Sequence, residues 1–188
     1  TVAVIAAHPD DEVLGCGGTL ARMVGEGHRV HILLVADGEL SRGDAGQEID
    51  ADRVAMRNAA AEAACKVLGC ASVEVWALPD NRLDGLELLD VVKRIEGFLG
   101  RCRPQVVLTH HVGDLNIDHC VVHDAVMAAC RPQPGCPVRE LLFFEVPSST
   151  EWQPPGVAAP FQPNFFVDIS ATLETKLEAL RVYADEMR

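Results

Sequence analysis

The apolar segment Val2-Ala3-Val4-Ile5-Ala6 leads directly into Ala7-His8-Pro9-Asp10-Asp11-Glu12, and the fold can be worked out from this segment. An uninterrupted apolar run of this length predicts a strand that is buried on both faces, as in a parallel sheet. An acidic turn follows the run, and a helical pattern follows the turn. Strand, turn and helix in this order form the first half of a β-α-β unit.

The same alternation of apolar runs and helical patterns continues along the chain. Further strands are predicted over residues 30–36, 73–77, 105–109 and 141–146, with a short strand over 165–169. Helices are predicted over residues 17–26, 52–68, 86–99, 118–130 and 172–187. Gly69 stops the second helix, while Asp118 and Thr172 cap the last two. Polar loops are predicted over residues 37–50 and 147–163.

This order of elements predicts one α/β domain over residues 1–188. We expect a Rossmann-like, three-layer α/β/α fold, in which helices cover both faces of a mostly parallel sheet. In the usual doubly wound order 3-2-1-4-5, the first and fourth strands are neighbours at the point where the strand order reverses. Ligands bind at that point, beyond the carboxyl ends of the strands.

The composition restricts the possible partners and the location of the protein. The net charge of −12 repels nucleic acid and anionic membranes, which leaves a small molecule as the expected partner. Because no apolar run is long enough to cross a bilayer, we expect no membrane span. The seven cysteines are odd in number and include no C-x-x-C pair, which indicates reduced thiols in a cytoplasmic protein.

Two polar clusters each follow a predicted strand. His8-Pro9-Asp10-Asp11-Glu12 follows the first strand, and Asp114-Leu115-Asn116-Ile117-Asp118-His119 follows the fourth. The two clusters are more than 100 residues apart in sequence. Since the first and fourth strands are neighbours in the predicted sheet, both clusters should meet at one edge.

Together the clusters offer the side chains of a metal site. His8, Asp11 and His119 supply two imidazoles and one carboxylate, a common catalytic Zn²⁺ set that leaves one position for water. Asp10 could take the proton from that water as it attacks a carbonyl group. Without a metal, the acids could simply cap the first helix and His119 could lie on a helix surface. The pairing of the clusters favours one bound Zn²⁺ or another divalent metal, because crowded acids need a compensating cation.

The first motif also identifies a family. Ala7-His8-Pro9-Asp10-Asp11-Glu12, followed by Gly15-Cys16-Gly17-Gly18-Thr19, closely resembles the signature of the PIG-L/LmbE-like de-N-acetylases. Weaker matches follow in the expected order, at Asp37-Gly38, Arg57, Leu78-Pro79-Asp80-Asn81-Arg82, Asp118-His119, Glu145 with Ser148-Ser149, and Pro163-Asn164. The resemblance implies a zinc-dependent hydrolase that removes an N-acetyl group from an N-acetylglucosamine-type conjugate or a related small molecule. It also points to a homo-oligomer.

The resemblance further assigns roles to individual residues. His8, Asp11 and His119 match the metal ligands, and Asp10 matches the general base. Asp118 would not bind the metal itself but would hold or tune a histidine ligand.

The resemblance assigns roles to other residues less directly. Arg57 and Asp80 match positions that contact sugar hydroxyls, although an ion pair on a helix surface and a turn aspartate are the respective alternatives. Asn116 stands where many members carry a histidine that stabilises the oxyanion. An amide can donate a hydrogen bond there but cannot donate a proton, so the leaving amine would be protonated by the general base, His110 or His111. The chain is also shorter than the family leads us to expect, which leaves open whether a C-terminal segment is missing.

Three rival interpretations stand beside the deacetylase. A Rossmann nucleotide-binding protein would use Gly15-Cys16-Gly17-Gly18 and Asp37, but these glycines do not fit G-x-G-x-x-G and the acidic turn would repel a pyrophosphate. A non-haem iron enzyme would use the pattern H-x-D…H formed by His8, Asp10 and His119. A non-catalytic metal- or sugar-binding relative would keep the ligands without turnover.

Overall fold

A computed structural model of the protein describes residues 1–38, 51–147 and 149–183. These residues form strands β1 (Val2–Ala6), β2 (Val30–Ala36), β3 (Ser72–Leu78), β4 (Val106–His110) and β5 (Glu140–Phe144). They also form helices α1 (Asp11–Gly25), α2 (Ala51–Leu68), α3 (Leu88–Cys102), α4 (Ile117–Ala129) and α5 (Leu173–Val182). Short 3-10 turns cover Leu83–Gly85 and Thr150–Trp152.

The strands form one parallel sheet in the order β3-β2-β1-β4-β5. Val2 of β1 is in register with Val30 of β2 on one side and with Val106 of β4 on the other. Every residue of β1 is buried, as its continuous apolar run predicts. The predicted strand order and parallel α/β class are therefore confirmed.

Two hydrophobic cores cover the two faces of the sheet, and β1 contributes to both. Val2, Val4 and Ala6 pack in the core that contains buried residues of α1, α2 and α5. Ala3 and Ile5 pack in the other core, with buried residues of α3 and α4. Successive side chains of a strand point to opposite faces, so one short strand is shared between both cores. The predicted three-layer arrangement follows from this division.

Helix α1 begins at Asp11, six residues earlier than predicted, and its glycines lie inside the helix. Glycine is a poor helix former, and the sequence pattern placed Gly15 in a turn and the start of the helix at Gly17. The structure explains them by close packing. A Cβ atom on Gly15 would overlap the ring of Phe144, and one on Gly18 would lie 2.7 Å from Ile169 Cδ1. The glycines therefore let other elements approach α1 closely, and they form no phosphate-binding loop.

One predicted cap and one predicted strand are wrong, and a second cap is confirmed in its position only. Asn116, not Asp118, is the N-cap of α4, because its side-chain oxygen accepts a hydrogen bond from the backbone N–H of Asp118. Thr172 occupies the N-cap position of α5, but its hydroxyl donates to the carbonyl of Gly18 and makes no cap hydrogen bond. Residues 165–169 pair with no described strand, and Ile169 lies instead against α1.

Some predictions fall on residues outside the described ranges. The predicted loop over 37–50 is described only at residues 37 and 38, and the predicted last helix is described only as far as residue 183. The assignment of residues 1–188 to one domain stays a prediction. Within the described ranges, every helix is too short or too polar to cross a lipid bilayer.

Candidate metal centre

The carboxyl ends of β1 and β4 bring the two polar clusters together. Side chains at the end of β4 bind the backbone at the end of β1, since Thr109 Oγ1 donates to the carbonyl of Ile5 and the N–H of Ala7 donates to His110 Nε2. The turn after β1 carries His8 and leads into α1, while the loop after β4 leads into α4. Both helices begin at this edge, so their N-terminal residues face the same space.

His8, Asp11 and His119 converge as the sequence predicts. Asp11 Oδ2 lies 3.3 Å from His8 Nδ1 and 3.2 Å from His119 Nε2. One potential ligand atom from each residue lies within 4.8 Å of the others, and all three residues are buried. The backbone N–H of His8 also donates to Asp11 Oδ2 at 2.9 Å, which fixes the carboxylate. This geometry is that of a cluster able to hold a metal ion.

The outward-facing nitrogen of each imidazole contacts a carboxylate. His8 Nε2 lies 3.0 Å from Asp118 Oδ2 and 3.0 Å from Asp80 Oδ1. His119 Nδ1 lies 3.1 Å from Asp114 Oδ2. A carboxylate in this position keeps the proton on the outward nitrogen and leaves the other nitrogen's lone pair free for a metal.

Asp118 is anchored on both oxygens. Oδ1 accepts a hydrogen bond from the backbone N–H of Leu83 at 3.0 Å, and Oδ2 accepts one from the N–H of Asn81 at 2.7 Å. A second possible cluster for a metal consists of His8, Asp80 and Asp118. Because backbone donors already occupy both Asp118 oxygens, this second cluster fits the orientation of His8 better than the binding of an ion.

Asp114 is a residue for which the sequence indicated no role, although it lies in the second polar cluster. Its Oδ2 accepts hydrogen bonds from Thr150 Oγ1 at 2.6 Å and from Ser149 Oγ at 3.1 Å, and its Oδ1 accepts one from the N–H of Asn116 at 2.9 Å. Its position behind His119 depends on the loop after β5, which no local pattern reveals. Only its membership of the polar cluster could have pointed to it.

The electrostatics of the cluster favour a positive charge. Burial lowers the pKa of His119, but the charge of Asp11 and the contact with Asp114 outweigh burial and raise the pKa to about 9. Burial raises the pKa of Asp11, yet His119 and His110 hold that pKa well below its ordinary value. His119 Nε2 is buried, and although Asp11 Oδ2 lies 3.2 Å away, the nitrogen makes no well-aligned hydrogen bond with any described residue. A buried ring nitrogen that lacks a hydrogen bond and lies beside an ionised carboxylate is suited to bind a cation. The residues present therefore suit the metal that the sequence predicts.

The cluster opens into a polar cavity of about 180 Å³ among the described residues. Its wall consists of His8, Asp10, Asp11, Gly38, Arg57, Asp80, Asn81, Asn116, His119 and Ser149. Every predicted site residue except Asp118 therefore lines the cavity, and Asp118 lies behind His8. Arg57 is buried and donates a hydrogen bond to the carbonyl of Gly38. Asn116 uses its oxygen as the cap of α4, so its Nδ2 is the atom that it can offer to a ligand.

His110 and His111 do not line the described part of the cavity. His110 is fully buried and stacks on His119 with ring centroids 3.9 Å apart. Burial and the neighbouring His119 lower the pKa of His110 well below its ordinary value. His111 Nε2 instead contacts the carbonyl of Ala159 at 2.8 Å. Both side chains are thus engaged outside the cavity.

Comparisons with known proteins identify the family of the chain. The chain matches the family model of the GlcNAc-PI de-N-acetylases (PIG-L) over residues 3–130. It is 31% identical over 186 residues to an uncharacterized deacetylase of Escherichia coli (strain K12), YaiS. This alignment covers 96% of this chain and 88% of that protein. It is 29% identical over 199 residues to the diacetylchitobiose deacetylase of Thermococcus kodakarensis. This alignment covers 98% of this chain and 69% of that protein.

A solved structure shows the same fold. GalB, the 4-carboxy-2-hydroxymuconate hydratase of Pseudomonas putida KT2440, superposes with a TM-score of 0.78 and 24% identity, over 98% of this chain and 79% of that chain. At this level of identity the likeness establishes the fold alone. The family match covers more than half of the chain, and the deacetylase relatives align over nearly all of it. The chain therefore belongs to the PIG-L family of GlcNAc-PI de-N-acetylases and is a hydrolase of the N-deacetylase class.

Proposed function

We propose that the protein is a zinc-dependent deacetylase that removes the acetyl group from an N-acetylated amino sugar conjugate, with Asp10 as the general base. The observation that carries this proposal is the convergence of His8, Asp11 and His119 on one point, with Asp10 in the wall of the same cavity. The diacetylchitobiose deacetylase among the relatives supports the substrate class.

The three converging residues would hold the metal through His8 Nδ1, a carboxylate oxygen of Asp11 and His119 Nε2. A zinc ion bound there supplies a Lewis acid that polarises an amide carbonyl and makes water more acidic. Asp118 and Asp114 hold the two imidazoles with their lone pairs directed inward. The ligands are thereby oriented before any metal or substrate binds.

The chain's own residues then move the proton. Asp10 takes a proton from the water whose oxygen attacks the acetamide carbon. Asn116 Nδ2 donates a hydrogen bond to the oxyanion that develops on the former carbonyl oxygen. When the C–N bond breaks, acetate leaves and the amine nitrogen receives the proton from Asp10. Since His110 and His111 are engaged elsewhere, Asp10 carries the proton in both directions.

The cavity wall suits a substrate that is rich in hydroxyl groups. Arg57, Asp80, Asn81 and Ser149 offer donors and acceptors around the centre. Arg57 and Asp80 would bind sugar hydroxyls, with Asp80 also orienting His8. All seven cysteines lie in the described ranges and are unpaired, which supports a reducing, cytoplasmic setting. A homo-oligomer stays a prediction.

A hydratase is a second candidate, because the same fold serves the Pseudomonas hydratase. That enzyme's name describes a carboxylated substrate. The described wall of this cavity carries the carboxylates of Asp10, Asp11 and Asp80, and Arg57 is its one Lys or Arg side chain. Like charges disfavour a carboxylated ligand, so this wall suits a neutral acetamido sugar better.

The proposal is tested by acetate release from N,N'-diacetylchitobiose and N-acetylglucosamine, with metal-stripped and zinc-restored protein. We expect activity only with zinc. Asp10→Asn should keep the metal and lose kcat by at least about a hundredfold, since general base catalysis contributes on the order of 10²–10⁴. Asp90→Asn, an exposed change in the first turn of α3, should act as wild type. Full activity of Asp10→Asn, or hydration of a muconate without any acetate release, would remove the proposal.

A further inference from the structure

A buried chain of hydrogen bonds joins the end of α5 to the acidic turn after β1. The hydroxyl of Tyr183 donates to Glu12 Oε1 at 2.8 Å. The other oxygen of the same carboxylate, Oε2, accepts a hydrogen bond from the backbone N–H of Asp10 at 3.1 Å. Glu12 is 1% exposed and Tyr183 is 3% exposed, so the chain of contacts is shielded from solvent.

The backbone of Asp10 adopts a conformation that an L-amino acid rarely occupies. Its φ is 115° and its ψ is −31°. Its carbonyl accepts the first hydrogen bonds of α1, from the N–H groups of Val13 and Leu14. A backbone at this φ persists only where its surroundings hold it, and such residues concentrate at functional sites. Here the helix holds the carbonyl of Asp10 and Glu12 holds its N–H.

We propose that Glu12 is a positioning residue for Asp10 and that Tyr183 braces Glu12 from α5. The inference rests on the proposed function, in which Asp10 is the general base. Glu12 does not line the described cavity and acts only through the backbone of Asp10. The C-terminal helix thus sets the direction in which the proton-carrying carboxylate points.

A space-filling role alone does not explain Glu12. A carboxylate that is removed from water costs free energy unless its oxygens are hydrogen-bonded, and an apolar side chain would fill the same space at lower cost. Both oxygens of Glu12 are used, one by Asp10 and one by Tyr183. Its polar atoms are therefore matched to the two groups that the proposal joins.

The first test compares two hydroxyl deletions on the C-terminal segment. Tyr183→Phe removes the donor to Glu12, and Thr172→Val removes the donor to the Gly18 carbonyl at 2.8 Å. Both variants lose one hydrogen bond to α1, but only Tyr183 leads to Asp10. We expect Tyr183→Phe to lower kcat about fivefold with KM and zinc content unchanged, and Thr172→Val to leave kcat as in wild type. Equal kcat values for both zinc-loaded variants would overturn the proposal.

The second test varies Glu12 itself. Glu12→Gln keeps an oxygen that can accept the hydrogen bond from the Asp10 N–H. Its amide NH₂ can donate a hydrogen bond to the hydroxyl oxygen of Tyr183, so this variant should retain most of the activity. Glu12→Leu keeps the volume but no acceptor and should lower kcat about 10- to 100-fold with little change in KM. A merely structural role would lower the unfolding temperature of Glu12→Leu and leave the kcat of the folded protein unchanged, which contradicts the proposal.

A structural measurement that does not depend on enzymatic activity separates this proposal from the proposed function. The crystal structure of Glu12→Leu should show the φ of Asp10 relaxed to a negative value, whereas Glu12→Gln should keep it positive. If wild-type protein releases no acetate, the proposed function fails while this comparison still tests the positioning. An unchanged positive φ in Glu12→Leu would show that Glu12 does not hold the backbone of Asp10.

Discussion

Each imidazole of the proposed metal centre is held by a carboxylate on the side away from the ligand cluster. Asp114 lies 3.1 Å from His119 Nδ1, and Asp118 lies 3.0 Å from His8 Nε2. Such outer partners fix the tautomer and make the inward nitrogen more basic. We therefore expect the affinity for the metal to depend on residues that do not touch it.

Asp114→Asn tests this dependence. Among the described residues, the groups that contact the carboxylate are hydrogen-bond donors or the Nδ1 of His119, so an amide NH₂ in its place would face a donor. We expect the affinity for zinc to fall about 10- to 100-fold, the usual effect of losing such an outer partner. Competition with a chromophoric chelator measures the affinity directly.

The control is Asp124→Asn, because Asp124 is exposed on the same helix α4. This variant should bind zinc as wild type does. If Asp114→Asn also binds zinc with unchanged affinity, Asp114 does not support His119 in the way that the contacts indicate.

The sequence reveals the residues of the centre unevenly. His8, Asp10 and Asp11 belong to one contiguous motif, and the strand order predicts that His119 joins them. The partners of Asp114 in the loop after β5, and the contact between Glu12 and Tyr183, join residues up to 171 positions apart. Such pairs depend on how helices and loops pack, which no local pattern encodes.

At the level of elements, α1 is notable for its glycine-bearing face. A Cβ atom on Gly15 would lie 2.8 Å from two ring carbons of Phe144, a core residue. Gly97 of α3 offers a contrast, because a Cβ there would meet only Arg101 Nη1, at 3.8 Å. Helix propensity and packing therefore oppose each other at Gly15 but not at Gly97.

Gly15→Ala should lower the free energy of unfolding by about 1–3 kcal/mol, the usual cost of overpacking a core. Gly97→Ala should raise it by roughly 0.5–1 kcal/mol, since alanine is the better helix former. Urea denaturation of both variants measures the difference. A stabilised Gly15→Ala would show that α1 and Phe144 are not packed as the structure has them.

The same conflict explains where the predicted elements were wrong. Periodicity located all five strands to within a few residues, because buried parallel strands are continuous apolar runs. The start of α1 was predicted at Gly17 and not at Asp11, because Gly15 is a poor helix former that lies in the helix for its packing against Phe144. The cap of α4 was missed by two residues because Asn116 and Asp118 are both good caps, and only the folded loop shows which one accepts the hydrogen bond.

On the scale of the whole molecule, the proposed metal centre joins two parts of the fold. Its proposed ligands come from the turn after β1, the start of α1 and the start of α4, and these helices cover opposite faces of the sheet. A metal that binds only the folded chain stabilises it by mass action. Bound zinc should therefore stabilise the entire molecule and not the site alone.

Calorimetry should show a higher Tm for zinc-loaded protein than for chelator-treated protein. At free zinc 100-fold above Kd the expected gain is about 2.7 kcal/mol. His119→Ala should lose most of this zinc-dependent shift, because it removes one of the three ligands. Equal Tm values for stripped and loaded wild-type protein would contradict binding to the folded state.

Anomalous diffraction at the zinc absorption edge, from crystals grown with stoichiometric zinc, would locate the metal directly. We expect one strong peak per chain, within coordination distance of His8 Nδ1, Asp11 and His119 Nε2, at about 2.0–2.2 Å for each bond. A peak on the other side of His8, between Asp80 and Asp118, would contradict this expectation, and so would crystals whose only zinc lies on the surface.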